Sequence, residues 1–245
     1  MHLIEITGVL KARGPSFTLG PLNLSLSRGE ILGVMGPNGA GKTSLLRLLW
    51  GFLRPDEGTI SILGLTPHLD QIRMRRQAGF VGDATRFYEW MSANEYLAFV
   101  SGFYPTFDDA QAQRLLDRLG LEGTVSVGNL SRGGRVKLAL ISALAHHPEL
   151  VILDEPTSGL DPLVRTDVLE ILQDMAADGV GVVLSSHLSS DLDRVADSVL
   201  MLDHGRRVEY GPAHALLNKY SHTQLEEVFL NAIQRVSSSG APHRA

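Results

Sequence analysis

Cysteine is missing altogether from the 245 residues, so no disulfide framework and no thiolate metal site can form. A reducing compartment is permitted by that absence and not required by it. A basic surplus is missing too. The formal net charge is −5, which argues against a broad nucleic-acid-binding face. Local clusters such as Arg73, Arg75 and Arg76 read as a solvated helix face. The apolar runs, Leu150 to Leu153 and Val180 to Leu184 for example, fall far short of the roughly 20 residues that span a bilayer. If the protein acts at a membrane, another chain must do the spanning. The segment MHLIEITGV holds no basic region followed by a long apolar stretch, so a secretory route is not expected.

What is present is a hydrophobic share of 44%, enough for a substantial core in one large domain with insertions. The short runs ILGVM (Ile31 to Met35), LVIL (Leu150 to Leu153), VGVVLS (Val180 to Ser185) and SVLML (Ser198 to Leu202) read as buried strands. Between them lie helical periods. Leu45, Leu48, Leu49 and Phe52 repeat at helical spacing behind a start at Ser44, and Val168, Ile171, Leu172 and Met175 do so behind Asp161 as N-cap and Pro162 in the first turn. Alternating strands and helices imply a mostly parallel sheet covered by helices. From about Ala84 to Leu121 there are helix patterns (Ala93 to Phe103, Asp108 to Leu119) and no clear strand, as in a helical insertion. The first thirty residues and Gly58 to Leu63 read as a separate antiparallel layer, and VSSSGAPHRA, from Val236, as a disordered tail.

Behind ILGVM comes Gly36, Pro37, Asn38, Gly39, Ala40, Gly41, Lys42, Thr43, and then Ser44 opens a helix. This is the GxxxxGK(S/T) phosphate loop in the strand–loop–helix setting it requires. The glycines let the backbone turn its N–H groups inward around a phosphate, Lys42 supplies charge to the β- and γ-phosphates, and the Thr43 hydroxyl can ligate magnesium. A nucleoside triphosphate is therefore the expected anion. LVILDEP ends a strand in two carboxylates: Asp154 in position to hold the magnesium, Glu155 to orient or deprotonate the attacking water. In NLSRGGRVKLAL, two glycines interrupt the start of a helix that Ser131 would cap, a costly choice unless an anion approaches that end.

GPNGAGKT, LSRGG, LVILDEP, the SGLD of Ser158 to Asp161 and the histidine of SSH at His187 stand in the order and spacing of ATP-binding-cassette (ABC) ATPases, which the chain resembles from about Leu3 to Gly211. The resemblance implies an α/β P-loop NTPase (RecA-like) core with an N-terminal antiparallel β layer and a helical subdomain at about 84–142, all in one domain over residues 1–235, ahead of a tail at 236–245. It further implies that ATP and Mg2+ bind, that Ser131, Gly133 and Gly134 of the signature contact the γ-phosphate held by a second cassette in a head-to-tail homo- or heterodimer, that Asp161 lies across that interface, and that His187 senses the γ-phosphate beside Glu155. Arg132 and Gly134 depart from the family's LSGGQ. Asp83 stands where the family has a glutamine and is carried over as a magnesium ligand. Arg13 or Phe17 is placed to stack on adenine, a role favoured for Phe17 over a purely structural one.

The function so implied is the ATPase of a transporter, acting at the cytoplasmic face of the membrane through separate transmembrane permease subunits. FYPTFDDAQAQRLLDRLGL followed by LSRGG looks like bacterial efflux-type systems, which makes export the expected direction. The alternative, a non-transport ABC ATPase acting on nucleic acid or ribosomes, usually carries two cassettes or a long coiled coil; this chain shows one of each motif and no extended heptads, and no nucleic-acid partner is expected. A P-loop kinase or GTPase would leave LSRGG and His187 without a role.

Overall fold

The structure, a computed structural model, describes residues 2–82 and 85–238. Two sheets organise it. β1 (His2–Ala12) pairs antiparallel with β2 (Thr18–Ser27) on one side and β4 (Glu57–Ile62) on the other, giving the order β2-β1-β4. The larger sheet is built from β3 (Ile31–Met35), β5 (Ala78–Val81), β6 (Leu150–Asp154), β7 (Gly181–Ser185), β8 (Ser198–Asp203) and β9 (Arg206–Pro212), in the order β5-β6-β7-β3-β8-β9. All its pairings are parallel except that of β8 with β9. The separate antiparallel layer and the mostly parallel sheet expected from the sequence are both observed.

Parallel strands need crossovers, and helices supply them. α1 (Lys42–Leu49) follows β3, and α2 (Gln71–Arg75) precedes β5. Between β5 and β6 come α3 (Ala93–Ser101), α4 (Asp109–Arg118) and α5 (Arg132–Leu144). α6 (Pro162–Ala177), α7 (Ser189–Val195), α8 (Ala213–Tyr220) and α9 (Leu225–Ser238) complete the chain. The caps are written in the sequence: Ser92 and Glu95 form a reciprocal capping box on α3, Asp108 accepts from Gln111 N at 3.0 Å, and Asp161 accepts from Val164 N at 3.1 Å with Pro162 behind it.

The central strands are buried along their whole length, which is why they read as continuous apolar runs. Period-two alternation divides them between two cores. Leu32, Val34, Ile152, Val183 and Leu200 face α1 and the antiparallel sheet, while Val151, Leu153, Val182, Leu184 and Val199 join the residues of α3 to α6.

Four sequence readings need correction. α1 starts at Lys42 and ends at Leu49, so Phe52 lies beyond the helix and is 56% exposed; Gly51, in the left-handed region at φ 75°, ends the period one turn early. Arg75 is not solvated like Arg73 and Arg76: its guanidinium lies 4.9 Å from the Phe52 ring and 5.4 Å from the Trp50 ring, and burial pushes its pKa down. The helix α9 runs through Val236 to Ser238, three residues into the stretch read as tail. β5 and β9 have no counterpart in the sequence reading, because four residues (AGFV) and the charged RRVEYGP carry no clear apolar run.

One buried histidine has a measurable consequence. His146 is stacked on Tyr104, centroids 4.0 Å apart, with Nε2 3.3 Å from the Ala78 carbonyl oxygen and Nδ1 unpartnered. Burial pushes its pKa from 6.5 down to about 4. Because the folded pKa is the lower one, the unfolded chain binds more protons between the two values. The stability His146 contributes is therefore complete above about pH 6.5 and lost as pH falls toward about 4. Unfolding in urea is expected to show about 2 kcal/mol less stability at about pH 5 than at about pH 7.5 from this group. His146→Phe should remove that part of the difference; an unchanged pH slope in the variant would contradict it.

Candidate active site

β3, β6 and β7 lie side by side, with Val34 opposite Ser185 and Asp154 opposite Ser185 in register. Their carboxyl ends therefore deliver three loops to one place, the crevice where open α/β sheets bind ligands. A cavity of about 790 Å³ opens there, within the size range of small-ligand sites. It is lined by every residue from Pro37 to Ser44, by Asp154, Glu155, Ser158 and His187, and by Arg13, Gly14 and Phe17 from the β1–β2 loop.

The loop after β3 can take its shape only with glycine at its ends. Gly36 has φ 151°, and a Cβ there would strike the Leu202 carbonyl and come within 2.9 Å of the Ala40 side chain. Gly41, at φ 110°, caps α1 in the left-handed region, and a Cβ would lie 2.9 Å from Leu19 and 3.1 Å from the Phe17 ring. No side chain caps α1, so its first-turn N–H groups are donors without an intrahelical partner at a helix end that favours anions. Lys42 is buried, donates from Nζ to the Gly36 carbonyl at 2.8 Å and stands 3.6 Å from Glu155 Oε1. Thr43 is exposed toward the cavity, whereas Ser44 is buried and accepts from Arg13 at 3.1 Å.

Asp154, 3% exposed, accepts from Ser185 Oγ at 2.7 Å, and that same hydroxyl accepts from the Glu155 N–H at 3.0 Å. Glu155 is left-handed at φ 53°, a conformation that costs a non-glycine residue about 1–3 kcal/mol and persists where the surroundings impose it. Its side chain reaches His187, with Oε2 2.5 Å from Nδ1 and 3.1 Å from the backbone N–H. An ionised Glu155 requires Nδ1 to carry the hydrogen, which leaves Nε2 as the outward edge of the ring. Ser185 was not singled out by sequence; its place as the last residue of an apolar strand and the first of SSH is the signal that marks it.

The structure thus brings together Gly36 through Ser44, Asp154, Glu155, His187, Arg13 and Phe17. The signature residues it places elsewhere. Ser131 caps α5, accepting from Gly134 N at 3.1 Å; Gly133 and Gly134 sit in that first turn, where a Cβ would press on Leu160 (3.3 Å) and Leu130 (3.2 Å). None of Ser131, Gly133, Gly134 and Asp161 lines the main cavity among the described residues. Asp83 lies outside the described residues.

The donor set suits a hard, well-hydrated cation. Asp154 and the Thr43 hydroxyl offer oxygen, and among the described residues no group of three His, Cys, Asp or Glu could hold a metal by itself. Mg2+ is bound in that manner, by one or two protein oxygens together with waters and substrate phosphates.

Comparison with known proteins agrees with this geometry. The family model described as ABC transporter matches residues 19–158. The Nod factor export ATP-binding protein I of Sinorhizobium fredii is 34% identical over 98% of this chain and 71% of its own length. A protein of the same name from Burkholderia orbicola is 31% identical over 92% of this chain and 76% of its own. A solved ATP-binding subunit of an ABC transporter superposes with a TM-score of 0.86 at 27% identity, covering 94% of this chain and 99% of that one. A dimeric ATP-binding cassette in a post-hydrolysis state, bound to ADP and Pi, shares the fold at a TM-score of 0.77 and 22% identity, over 85% of this chain and 98% of its own. With its phosphate loop, paired carboxylates and histidine converging on one crevice, the chain belongs to the ABC transporter family, as an ATP-binding cassette.

Proposed function

We propose that this chain is the ATPase of an exporter: two cassettes close head to tail around ATP and Mg2+, and hydrolysis drives separate membrane-spanning subunits at the cytoplasmic face of the membrane. The observation that carries this reading is the division of the motifs within one chain. The main cavity gathers the phosphate loop, Asp154, Glu155 and His187, whereas Ser131 and Gly133 open a helix that lines no part of it. A second chain turned to face the first would lay that helix N-terminus on the γ-phosphate. The dimeric likeness described above fits such an arrangement.

In this reading the N–H groups of the phosphate loop and the Lys42 ammonium bind and orient the β- and γ-phosphates, which are stronger partners for Lys42 than the Gly36 carbonyl. Asp154, fixed by Ser185, and the Thr43 hydroxyl would hold Mg2+, which neutralises charge on the phosphates when bound. Asp83 is carried as a further oxygen donor. Glu155 takes the proton of the attacking water, and its left-handed backbone aims the carboxylate at the cavity. His187 holds Glu155 through Nδ1 and leaves Nε2 to face the γ-phosphate. Phe17, or Arg13 beside it, offers a surface for the adenine.

Among the described residues no helix is long and apolar enough to cross a membrane, and in this reading the spanning part falls to separate subunits. The relatives named as export ATP-binding proteins support export over action on nucleic acid or ribosomes. A tagged chain is expected to co-purify from detergent-solubilised membranes with a multi-span membrane protein whose presence raises ATP turnover. Recovery on ribosomes or nucleic acid, with no effect of membrane protein on turnover, would overturn the transport reading.

A further inference from the structure

A carboxylate buried behind the site takes no part in the mechanism above. Asp191, on α7, is 0% exposed, and a charge so deep is unfavourable unless paired and hydrogen-bonded. Its partners come from three segments, each adjoining a residue of the site. Thr157, two positions beyond Glu155, donates from Oγ1 to Asp191 Oδ2 at 2.7 Å. Ser186, the neighbour of His187, approaches the same oxygen at 3.4 Å while accepting from Leu188 N at 3.0 Å. Arg165 donates from Nε to Oδ1 and from its terminal nitrogen to Ser190 Oγ at 2.7 Å; its own N–H closes the first turn of α6 on the carbonyl of Asp161 at 2.9 Å.

We infer that Asp191 is a positioning residue, which locks the loop of Glu155, the loop of His187 and the start of α6 into one rigid body so that the carboxylate, the imidazole and Asp161 keep a fixed relation during hydrolysis. The inference rests on the reading of Glu155 and His187 given above. An apolar cluster would fill this volume, but it would not specify direction; charged and hydroxyl groups bonded to one carboxylate do. The strained turn at Glu155 makes such a brace useful, since a φ of 53° is kept only by its surroundings.

The test compares Asp191→Asn, Thr157→Val and the paired replacement Asp191→Leu with Arg165→Met, each in the full chain. Misplacing reacting groups by about 1 Å costs on the order of a hundredfold, so kcat for ATP is expected to fall about 10- to 100-fold in Asp191→Asn. KM and nucleotide affinity should stay within about twofold, because the phosphate loop is untouched. The ring signals of His187 in NMR should shift as its contact with Glu155 loosens. Thr157→Val removes one hydroxyl from the network and keeps the side-chain volume, so its kcat should fall about tenfold; the Asp191 oxygen it leaves unpaired should lower the melting temperature by only several degrees, so this chain stays folded even if Asp191→Asn does not. The paired replacement removes both charges and is expected to fold stably while remaining slow, since Thr157 loses its acceptor, whereas the Ser186 hydroxyl keeps the Leu188 carbonyl at 3.2 Å. Turnover that returns with stability in the paired replacement, or a Thr157→Val chain with unchanged kcat, would reduce Asp191 to a core ion pair and overturn the inference. Glu155→Gln, run alongside, separates the failures: if it turns over normally the site assignment itself fails, and if it is slow while the Asp191 and Thr157 variants are normal only the inference does.

Discussion

The Glu155→Gln chain is expected to bind ATP with Mg2+ much as the parent does and to hydrolyse it about a hundred- to ten-thousand-fold more slowly. The amide keeps the shape of the side chain and an oxygen to accept the His187 N–H, now at 3.1 Å, but it has no basicity for the attacking water. Binding should be spared, because the proposed function gives the phosphates to the loop and Lys42. With hydrolysis blocked, the ATP-bound dimer should accumulate, and size-exclusion chromatography with ATP reads it directly. Normal turnover in this variant would remove Glu155 from the chemical step and leave its left-handed backbone without a functional reason.

Lys42→Ala is expected to act one step earlier. Lys42 is the cation of the loop, held in place against Gly36 and Glu155 with only 8% of its side chain exposed. A charge-assisted hydrogen bond contributes about 1.5–3 kcal/mol, so its loss should weaken ATP binding by about 10- to 100-fold and abolish measurable turnover. α1 retains buried Leu45, Leu46, Leu48 and Leu49, so folding should survive. Isothermal titration with ATP at matched Mg2+ separates this outcome from that of Glu155→Gln. Equal affinity in parent and variant would show that the backbone N–H groups alone bind the phosphates.

Much of this architecture was legible because its signals are local. A strand buried on both faces must be apolar at every position, so Ile31–Met35 and Leu150–Asp154 announce themselves, and the glycines of the phosphate loop are demanded by φ angles that no other residue adopts cheaply. The caps Ser131 and Asp161 were legible for the same reason: each bonds an N–H three residues on. Long-range contacts were not legible. Arg75 looks solvated on a helical wheel, and only the fold places it over Trp50 and Phe52. Ser185 and Asp191 gain their meaning from partners 31 and 34 positions away, a relation set by the parallel register of β6 and β7 and by the docking of α7. β9 escaped because a half-exposed edge strand with three charged residues has no apolar run to reveal it.

The central claim is that each ATP is held by the phosphate loop of one chain and the signature helix of another. It is tested most directly by mixing two inactive chains, Lys42→Ala and Ser131→Arg. The first lacks the phosphate cation; the second carries a bulky side chain where the opposite γ-phosphate must reach the N-terminus of α5, and its melting temperature should be checked because a lost cap costs about 1 kcal/mol. In a mixed dimer both lesions fall in one composite site, and the other site combines the intact loop of the Ser131→Arg chain with the intact signature of the Lys42→Ala chain. The measurement is ATP hydrolysis by purified mixed dimers, held together by the membrane subunit, with ATP-dependent crosslinking read in parallel. The account predicts that activity or crosslinking returns on mixing, where neither chain shows it alone. If neither returns, every site was damaged by a lesion in its own chain, and Ser131 serves its own nucleotide rather than its partner's.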